Sequence, residues 1–451
     1  MNNRSRTFAR LIVTCLLAFG VASDALAQAL TAEVVSRREA LASEHSDGLI
    51  IIAANWEEKK MEQPGWIQDA SFHYFTLLRG IPGVILVIDA PASRTILFSP
   101  PAPESFGVPI EALNLQNRLD LIALSGADAV MPRDRFMDYV ESRLGAGVEN
   151  IYLDEPRRWP PSGVPEGMLA VTNSHRLWRQ SLEQAFPTAQ FRSAAESITK
   201  MRWTKSAAEV EILTRNAGYS AAALRSGMQA VRAGLTQRQA EGAVVAGCLN
   251  AGAEGPSFWP WVMTGPNGHL KELVRSFYDY ENLNRVYRDG ELVRVDIGCQ
   301  SAGYGGDVGR TVPVSGSFSR EQAVIWDLLI TGYLAGLDAM RAGATLESVR
   351  MASRAAIQNQ QNADPELAAR MASDSGVNWH IHGIGIESGE TPGEDVFRAG
   401  AVVAYEPMFV YGADAFYLED MILITEDGMG VLTTELPYSA SEIASFLASD
   451  K

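Results

Sequence analysis

The chain has 451 residues, with 38 Lys and Arg against 54 Asp and Glu, and a formal net charge of −16. This acidic balance excludes a surface for duplex nucleic acid, because phosphate contacts need clustered Lys and Arg. The three cysteines are too few for a disulfide-built scaffold or a Cys-rich zinc module. The chain exceeds the length at which one hydrophobic core usually stops growing, so we expect two domains.

Residues 1–27 have the features of a secretory signal peptide. Three Arg residues precede an apolar run at 11–21, which is too short to span a bilayer, and Ala25-Leu-Ala27 provides small residues for cleavage. We therefore expect a periplasmic or secreted protein, with an N-terminal membrane anchor as the alternative. After cleavage we expect no membrane association, since no other stretch approaches about 18 uninterrupted apolar residues.

Residues 28–200 predict a small α/β domain. Its short apolar runs are rich in β-branched residues and are bounded by Pro, Gly and Ser, as buried strands are. The predicted strands lie at 49–54, 83–88 and 95–98, and the predicted helices at 133–145 and 174–186.

Residues 201–451 predict an α+β domain in which helices surround an antiparallel sheet. Ser206 and Glu209 have the spacing of a capping box, in which each side chain satisfies a free backbone N–H group. Thr236 and Ser319 begin further helices in the same way, each with a Gln three residues later. A fourth helix is predicted at 346–361, and strands are predicted at 291–299, 400–410 and 416–425.

Two cysteines, Cys248 and Cys299, follow the predicted signal peptide. They could pair in an oxidising compartment, but their spacing in the chain cannot show that they are close in space. We therefore expect two buried thiols.

Four carboxylates stand where strands and turns can bring them together. Asp296 lies in a strand-like run whose Val and Ile side chains face the other way, and Asp307 follows eleven residues later, after a Gly-rich turn. Glu406 and Glu419 flank Gly412-Ala413, a predicted hairpin tip. Folding the chain there places the two Glu residues opposite each other on one face of the sheet.

Four carboxylates in one interior site would repel each other and partly protonate. Two divalent cations would remove that problem, and His382, at the start of a Gly-rich turn, supplies an imidazole as a fifth ligand. Oxygen donors with one imidazole suit Mn, Co, Fe or Zn, and a metal pair about 3.5–4 Å apart makes a bridging water hydroxide-like. Taken singly, each carboxylate could instead be an exposed sheet residue, and the histidine a hydrogen-bonded core residue.

The ordered set resembles the pita-bread metallopeptidases, namely methionine aminopeptidases, Xaa-Pro aminopeptidases and prolidases, with creatinase as a metal-free relative. Members carry Asp, a second Asp about eleven residues later, His-Gly-Ile-Gly, Glu-Pro and finally Glu-Asp. The resemblance covers residues 204–430, and the segments 66–75 and 82–86 are similar to the N-terminal domain of two-domain members. The corresponding residues of this chain are Asp296, Asp307, His382, Glu406 and Glu419.

The resemblance implies a site for two divalent ions, with manganese expected and cobalt, zinc or iron as alternatives. One ion would be held by Asp296, Asp307 and Glu419. The other would be held by Asp307, His382, Glu406 and Glu419. Glu406 would also accept a proton from the bridging water as this water attacks the scissile carbonyl. Two-domain relatives are commonly dimers or larger, which implies a homo-oligomer.

The residues around this set depart from the family pattern. The family places a His seven residues after the Gly of a Gly-x-Asn segment, others seven residues after and four before the metal-binding His, and an Arg two residues before the last Glu. In this chain these positions hold Glu272, Gly389, Asn378 and Tyr417. His380 and His269 are candidates to supply the missing proton transfer. Asp420, Arg294 and Arg310 either orient the metal ligands or form structural salt bridges.

Three functions are consistent with these residues. The first is a secreted two-metal hydrolase of the Xaa-Pro aminopeptidase or prolidase type, which acts on peptides. The second is a hydrolase of another C–N bond, in a small amide, on the same scaffold. The third is a catalytically inactive relative that retains the metal site.

Overall fold

The computed structural model describes residues 28–56, 68–105, 107–155 and 174–449. The signal peptide predicted at 1–27 lies outside these residues and stays a prediction, as does the beginning of the 66–75 segment. The chain divides into two compact units, Met1–Met201 and Arg202–Lys451. Each unit contains a β-sheet and its own buried hydrophobic residues.

The strands of the N-terminal unit are Gly48–Ala53 (β1), Ile85–Asp89 (β2), Arg94–Ser99 (β3), Glu104–Ser105 (β4), Val108–Pro109 (β5), Ala129–Pro132 (β6), Asn150–Leu153 (β7) and Gln190–Ser193 (β8). Six of them form a mixed sheet in the order β6-β3-β2-β1-β7-β8. The three predicted apolar runs form its antiparallel centre, and β6, β7 and β8 add in parallel. The sheet is buried because Ile51, Val87 and Phe98 belong to one hydrophobic core cluster.

The helices of this unit comprise residues 28–44 (α1), Ala70–Thr76 (α2), Leu119–Ser125 (α3), Phe136–Gly145 (α4), Ser174–Ala185 (α5) and most of Ala195–Trp203 (α6). The two predicted helices correspond to α4, with a preceding 3-10 turn, and to α5. Among the described residues of the whole chain, no helix combines the length and the apolar character needed to cross a bilayer.

The strands of the C-terminal unit are Gly255–Pro256 (β9), Trp261–Thr264 (β10), Leu292–Ile297 (β11), Cys299–Gln300 (β12), Val308–Pro313 (β13), Asn378–Gly383 (β14), Val402–Tyr411 (β15), Asp414–Ile424 (β16) and Met429–Val431 (β17). Seven of them form an antiparallel sheet in the order β10-β11-β13-β16-β15-β14, with β17 beside β16. The turn between β15 and β16 is Gly412-Ala413, as predicted, and Gly412 has a φ of 62°.

The helices of this unit are Ala207–Ala230 (α7), Gln237–Ala251 (α8), Leu270–Asp279 (α9), Arg320–Ala339 (α10), Leu346–Gln358 (α11), Pro365–Ala372 (α12) and Ala440–Ala448 (α13). The predicted capping boxes are present at the start of α7, α8 and α10, with Ser206, Thr236 and Ser319 as the N-caps. In each box the N-cap hydroxyl and the side chain three residues later satisfy backbone N–H groups that the helix leaves free.

A glycine in α7 allows helices to pack closely on one face of the sheet. A Cβ atom at Gly227 would lie 2.4 Å from Val244 Cγ2 in α8 and 3.0 Å from Val295 Cγ1 in β11. Only a hydrogen atom fits in this space, so glycine permits the contact. Because side chains alternate along a strand, α7 covers the Val295 face of β11, and Asp296 points to the opposite face.

Cys248 and Cys299 form a disulfide, so the expectation of two buried thiols is wrong. Cys248 lies near the end of α8 and Cys299 lies in β12, with their Cα atoms 5.6 Å apart. The pairing depends on how α8 packs beside the strand end, and a separation of 51 residues in the chain carries no sign of it. The bond holds β12 at the point where the chain enters the Gly-rich turn before Asp307.

Candidate metal centre

Strand register aligns several of the predicted site residues in one row across the C-terminal sheet. Asp296 in β11 pairs with Gly309 in β13, which pairs with Glu419 in β16. The register on both sides of Glu406 in β15 places it opposite Glu419, as the hairpin predicted, and His380 in β14 pairs with Glu406. Residues paired in this way project to the same face of a sheet. The row therefore brings three carboxylates and an imidazole together.

His382 and Asp307 lie next to this row of residues. His382 is two residues beyond His380 on β14, so its side chain projects to the same face. Its Nε2 atom lies 3.3 Å from Glu406 Oε1 and 3.7 Å from Asp307 Oδ2. The same atom lies 3.8 Å from Glu419 Oε1. Side chains from separate parts of the chain thus meet around one imidazole nitrogen.

The backbone sets the orientation of the His382 ring. Its Nδ1 atom lies 3.0 Å from the carbonyl oxygen of Gly383 and donates a hydrogen bond to it. This bond leaves Nε2 directed at the carboxylates, which is the arrangement found for metal-binding histidines. Burial opposes the charged ring, but Glu406, followed by Asp307, raises the pKa of His382 to about 9. A metal ion would compete with that proton for Nε2.

Three of the carboxylates resist ionisation where they stand. Burial, and then the charge of Asp296, raises the pKa of Asp307 well above its usual range. Burial, and then the charge of Asp307, does the same to Glu419. Burial raises the pKa of Asp296 to about 6 even though Arg294 opposes the shift. A cluster of this kind needs more positive charge than the side chains around it provide.

Glu406 behaves differently because two imidazoles face it. Burial disfavours its ionised form, but hydrogen bonds from His380 and His382, together with their charge, hold the pKa of Glu406 well below its usual range. Its hydrogen bond with His380 Nδ1 involves Oε1, which is also the oxygen nearest to His382 Nε2. Glu406 is therefore the carboxylate of this cluster that stays ionised.

The hydrogen bonds of Asp296 and Glu419 test whether the cluster fits a metal. Arg294 Nη2 donates to Asp296 Oδ2 at 2.6 Å, and the Tyr417 hydroxyl donates to Glu419 Oε2 at 2.6 Å. The other oxygens, Asp296 Oδ1 and Glu419 Oε1, are buried and have no hydrogen-bond partner among the described residues. An unsatisfied buried oxygen costs free energy that a bound cation would offset.

Two groups of donor atoms are close enough to share an ion. The donors of Asp307, His382 and Glu419 lie within 4.8 Å of one another, and so do those of His380, His382 and Glu406. Carboxylate oxygens and imidazole nitrogens are ligands for divalent transition metals. The residues of this face therefore fit divalent metal ions.

Comparison with known proteins gives the family of this domain. A profile of metallopeptidase family M24 matches residues 211–426. This part of the chain belongs to family M24. All five predicted metal ligands lie within the M24 region.

Several relatives of the M24 region are Xaa-Pro peptidases. The Xaa-Pro aminopeptidase of Escherichia coli is 26% identical over 275 residues, which are 56% of this chain and 61% of that protein. Xaa-Pro aminopeptidase 3 of Rattus norvegicus is 24% identical over 410 residues, which are 83% of this chain and 76% of that protein. The chain spans about three fifths of the length of the bacterial Xaa-Pro aminopeptidases that it matches.

A solved structure extends the likeness beyond the M24 region. Proline aminopeptidase P II from Yersinia pestis superimposes with a TM-score of 0.69 at 21% identity, and the match covers 93% of this chain and 99% of that one. This likeness confirms the predicted fold class, a pita-bread domain preceded by a smaller α/β domain.

The predicted catalytic candidate His269 lies apart from the carboxylates predicted to bind metal. Its Nε2 atom is 3.2 Å from the carbonyl oxygen of Ala413, at the tip of the β15–β16 hairpin. Ala413 is six residues from Glu419 along β16, a rise of about 20 Å on an extended strand. His380, the other candidate, contacts Glu406 directly.

The positions where the M24 pattern has further histidines carry no imidazole here. Gly389 has no side chain, and Glu390 beside it is buried between Arg202 and Lys205, at 2.6 and 2.9 Å. Burial opposes ionisation, but these two cations lower the pKa of Glu390 to about 2. Glu272 lies 3.2 Å from Arg275. None of these residues replaces the missing imidazoles.

Asp420, Arg294 and Arg310 were expected either to orient the metal ligands or to form structural salt bridges, and both kinds of contact are present. Arg294 contacts the proposed ligand Asp296, whereas Arg310 forms a buried ion pair with Asp420, in which Nη2 lies 2.8 and 3.0 Å from the two carboxylate oxygens. Sequence reasoning missed that the Tyr417 hydroxyl bonds both Glu406 Oε2, at 3.1 Å, and Glu419 Oε2. The period-2 alternation of a strand, which puts Tyr417 on the face of Glu419, could have indicated it.

Proposed function

We propose that this protein is a secreted or periplasmic two-metal hydrolase of the Xaa-Pro aminopeptidase or prolidase type. The observation that carries the proposal is a pair of buried oxygens, Asp296 Oδ1 and Glu419 Oε1, that have no hydrogen-bond partner within the described residues. Glu419 Oε1 lies 3.8 Å from His382 Nε2. Membership of family M24 supports metal-dependent peptide hydrolysis, and the Xaa-Pro peptidases among the relatives support a peptide with proline after the scissile bond.

The proposed ligand set divides over two positions. One position uses Asp296, Asp307 and Glu419. The other uses Asp307, His382, Glu406 and Glu419. Bound divalent ions would supply Lewis-acid polarisation of the scissile carbonyl and a water of lowered pKa. The oxygen-rich composition of the first position suits Mn²⁺.

The side chains around the ligands have separate tasks in this proposal. Glu406, whose Oε1 atom lies 3.3 Å from His382 Nε2, would accept the proton of the attacking water. Arg294 and Tyr417 would hold one oxygen of Asp296 and of Glu419, so that the other oxygen of each points to the ion. Orientation of this kind commonly changes metal affinity or activity by about 10–100-fold.

The substrate test uses the mature chain loaded with Mn²⁺ or Co²⁺. It compares tripeptides of the Xaa-Pro-Xaa type with matched peptides in which Ala replaces Pro. We expect release of the N-terminal residue from the Pro series only. Cleavage of both series at equal rates would contradict the proline preference, and cleavage of neither would contradict the peptidase.

The ligand test measures metal content in the wild-type chain, Glu406→Ala and His382→Ala. We expect two divalent ions per wild-type chain and less in each variant, because each substitution removes a donor atom from the second position. Asn378→Ala, on the same strand as His382, is the matched control and should bind as much metal as the wild type. Unchanged content in both ligand variants would contradict the ligand assignment.

A second candidate function is hydrolysis of a C–N bond in a small amide. It is favoured by Glu272 and Gly389, which stand where the family pattern has substrate-contacting and proton-transferring histidines. The discriminating result is turnover of non-peptide amides by a metal-loaded chain that leaves both peptide series intact.

Export and assembly belong to the same proposal. The composition of residues 1–27 and the Cys248–Cys299 disulfide support an oxidising compartment, where such bonds persist. N-terminal sequencing of the periplasmic or secreted fraction should give a chain beginning near residue 28. Light scattering should give a dimer, and a monomer at micromolar concentration would contradict the assembly.

A further inference from the structure

We propose that His380 is an additional metal ligand, which gives the position around His382 and Glu406 a second nitrogen donor. This inference rests on the proposed function, because it adds a residue to that site. The ligand set that the family pattern implies contains one imidazole, whereas strand β14 of this chain offers two.

The imidazoles of His380 and His382 both lie close to one carboxylate oxygen, Glu406 Oε1. His380 and His382 are two residues apart on β14, and their ring centroids are 5.2 Å apart. His380 Nδ1 hydrogen-bonds Glu406 Oε1, and His382 Nε2 lies 3.3 Å from that same atom. Each of the three residues offers a donor atom, and these atoms lie within 4.8 Å of one another. An ion held by Glu406 Oε1 and His382 Nε2 would therefore be within reach of His380 Nδ1.

The environment of His380 leaves it available for this role. The ring is 52% exposed and lies on β14, which is at the end of the sheet order. Its one hydrogen bond within the described part of the chain goes to Glu406. A half-exposed imidazole at a sheet edge can adjust its torsion angles to meet an ion at small cost.

A second imidazole would make the two metal positions chemically different. Asp296, Asp307 and Glu419 offer only oxygen, which suits Mn²⁺. With His380, the other position would offer two imidazole nitrogens beside the carboxylates of Asp307, Glu406 and Glu419, and the second nitrogen favours Zn²⁺ or Co²⁺. We therefore expect the chain to bind one equivalent of Co²⁺ or Zn²⁺ more tightly than it binds Mn²⁺ at that position.

The test titrates metal-free mature chain with Co²⁺ and, separately, with Mn²⁺. The wild type is compared with His380→Ala, His380→Asn and the control Asn378→Ala. Asn378 lies on the same strand and faces the same side, two residues before His380. Isothermal titration gives the affinity of each site, and the visible absorption of bound Co²⁺ changes when its ligands change.

We expect both His380 variants to lose about 10-fold or more in Co²⁺ affinity at one of the two sites, because loss of a donor atom should cost at least as much as loss of a residue that only orients a ligand. Their Co²⁺ absorption should also shift, while Mn²⁺ affinity changes less. Asn378→Ala should match the wild type in both readouts.

Unchanged Co²⁺ affinity and absorption in the His380 variants would overturn the inference. A fall in turnover with those readouts unchanged would also overturn it, because His380 would then act in proton transfer. Failure of the wild type to bind Co²⁺ would instead contradict the proposed function itself. Far-UV circular dichroism of both substitutions separates ligand loss from unfolding.

Discussion

The guanidinium of Arg294 lies over the ring of Tyr417, with Cζ 3.8 Å from the ring centroid. Both residues flank Thr311 of β13, since Arg294 pairs with it in the register and the Tyr417 backbone N–H donates to its hydroxyl at 2.7 Å. Arg294 then holds Asp296, and Tyr417 holds Glu406 and Glu419. The family pattern has an Arg in β16 at the position of Tyr417. In this chain the guanidinium that supports the site comes instead from Arg294 in β11.

Tyr417→Phe should weaken divalent-metal binding by about 10-fold, the lower end of the range for residues that orient metal ligands. The substitution keeps the ring under Arg294 and removes the hydroxyl that holds Glu406 and Glu419. Isothermal titration of the metal-free chain measures the change. Tyr405→Phe is the matched control, because the Tyr405 hydroxyl contacts Ser353 at 2.6 Å and touches no proposed ligand. Equal losses in both variants would contradict the assigned role.

Arg294→Met should destabilise the metal-free chain by about 3–5 kcal/mol, because it leaves Asp296 buried without its cation. Saturating divalent metal should reduce this loss, since the ion supplies positive charge to the same carboxylate. Denaturant unfolding with and without metal gives both values. A loss of the same size in the two conditions would show that the guanidinium acts independently of the metal centre.

The Cys248–Cys299 disulfide should contribute about 4 kcal/mol to the free energy of unfolding, the chain-entropy value for a loop of this length. A variant with Ala at both positions should therefore unfold at lower denaturant concentration than the oxidised wild type. Reductant present during unfolding should lower the wild type to the value of the variant and leave the variant unchanged. If the wild type unfolded at the same denaturant concentration with and without reductant, the prediction would be contradicted.

Glu390 should make stability depend on pH in the acidic range. Burial opposes its ionisation, but Arg202 and Lys205 lower its pKa from 4.5 to about 2 in the folded chain. A carboxylate with a lowered folded pKa stabilises the protein above its unfolded pKa, and this contribution disappears as pH falls from 4.5 toward 2. A shift of this size corresponds to roughly 3 kcal/mol.

Glu390→Gln should accordingly lower the free energy of unfolding at pH 6, and the difference from wild type should shrink toward pH 2. Urea unfolding across this range measures it. Glu387→Gln is the matched control, because Glu387 also contacts Arg202, at 2.8 Å, but is 58% exposed and should contribute under about 1 kcal/mol. A difference for Glu390→Gln that does not vary with pH would contradict the pKa shift.

Much of the fold follows from local patterns in the chain. The capping boxes at Ser206, Thr236 and Ser319 mark helix starts because both partners lie within one turn. The hairpin at Gly412-Ala413 and period-2 alternation place Glu406 opposite Glu419 by counting residues. The family profile and the solved relative bear out the fold that these patterns indicated.

The sequence by itself determined the order and the types of the proposed ligands and the strands that carry Asp296, Glu406 and Glu419. Only the tertiary structure decided that Cys248 pairs with Cys299, that Arg294 lies over Tyr417 and that His269 lies beside the hairpin tip. The physical reason is distance along the chain. Alternation and capping act over a few residues, whereas these contacts join elements whose proximity depends on how helices and strands pack.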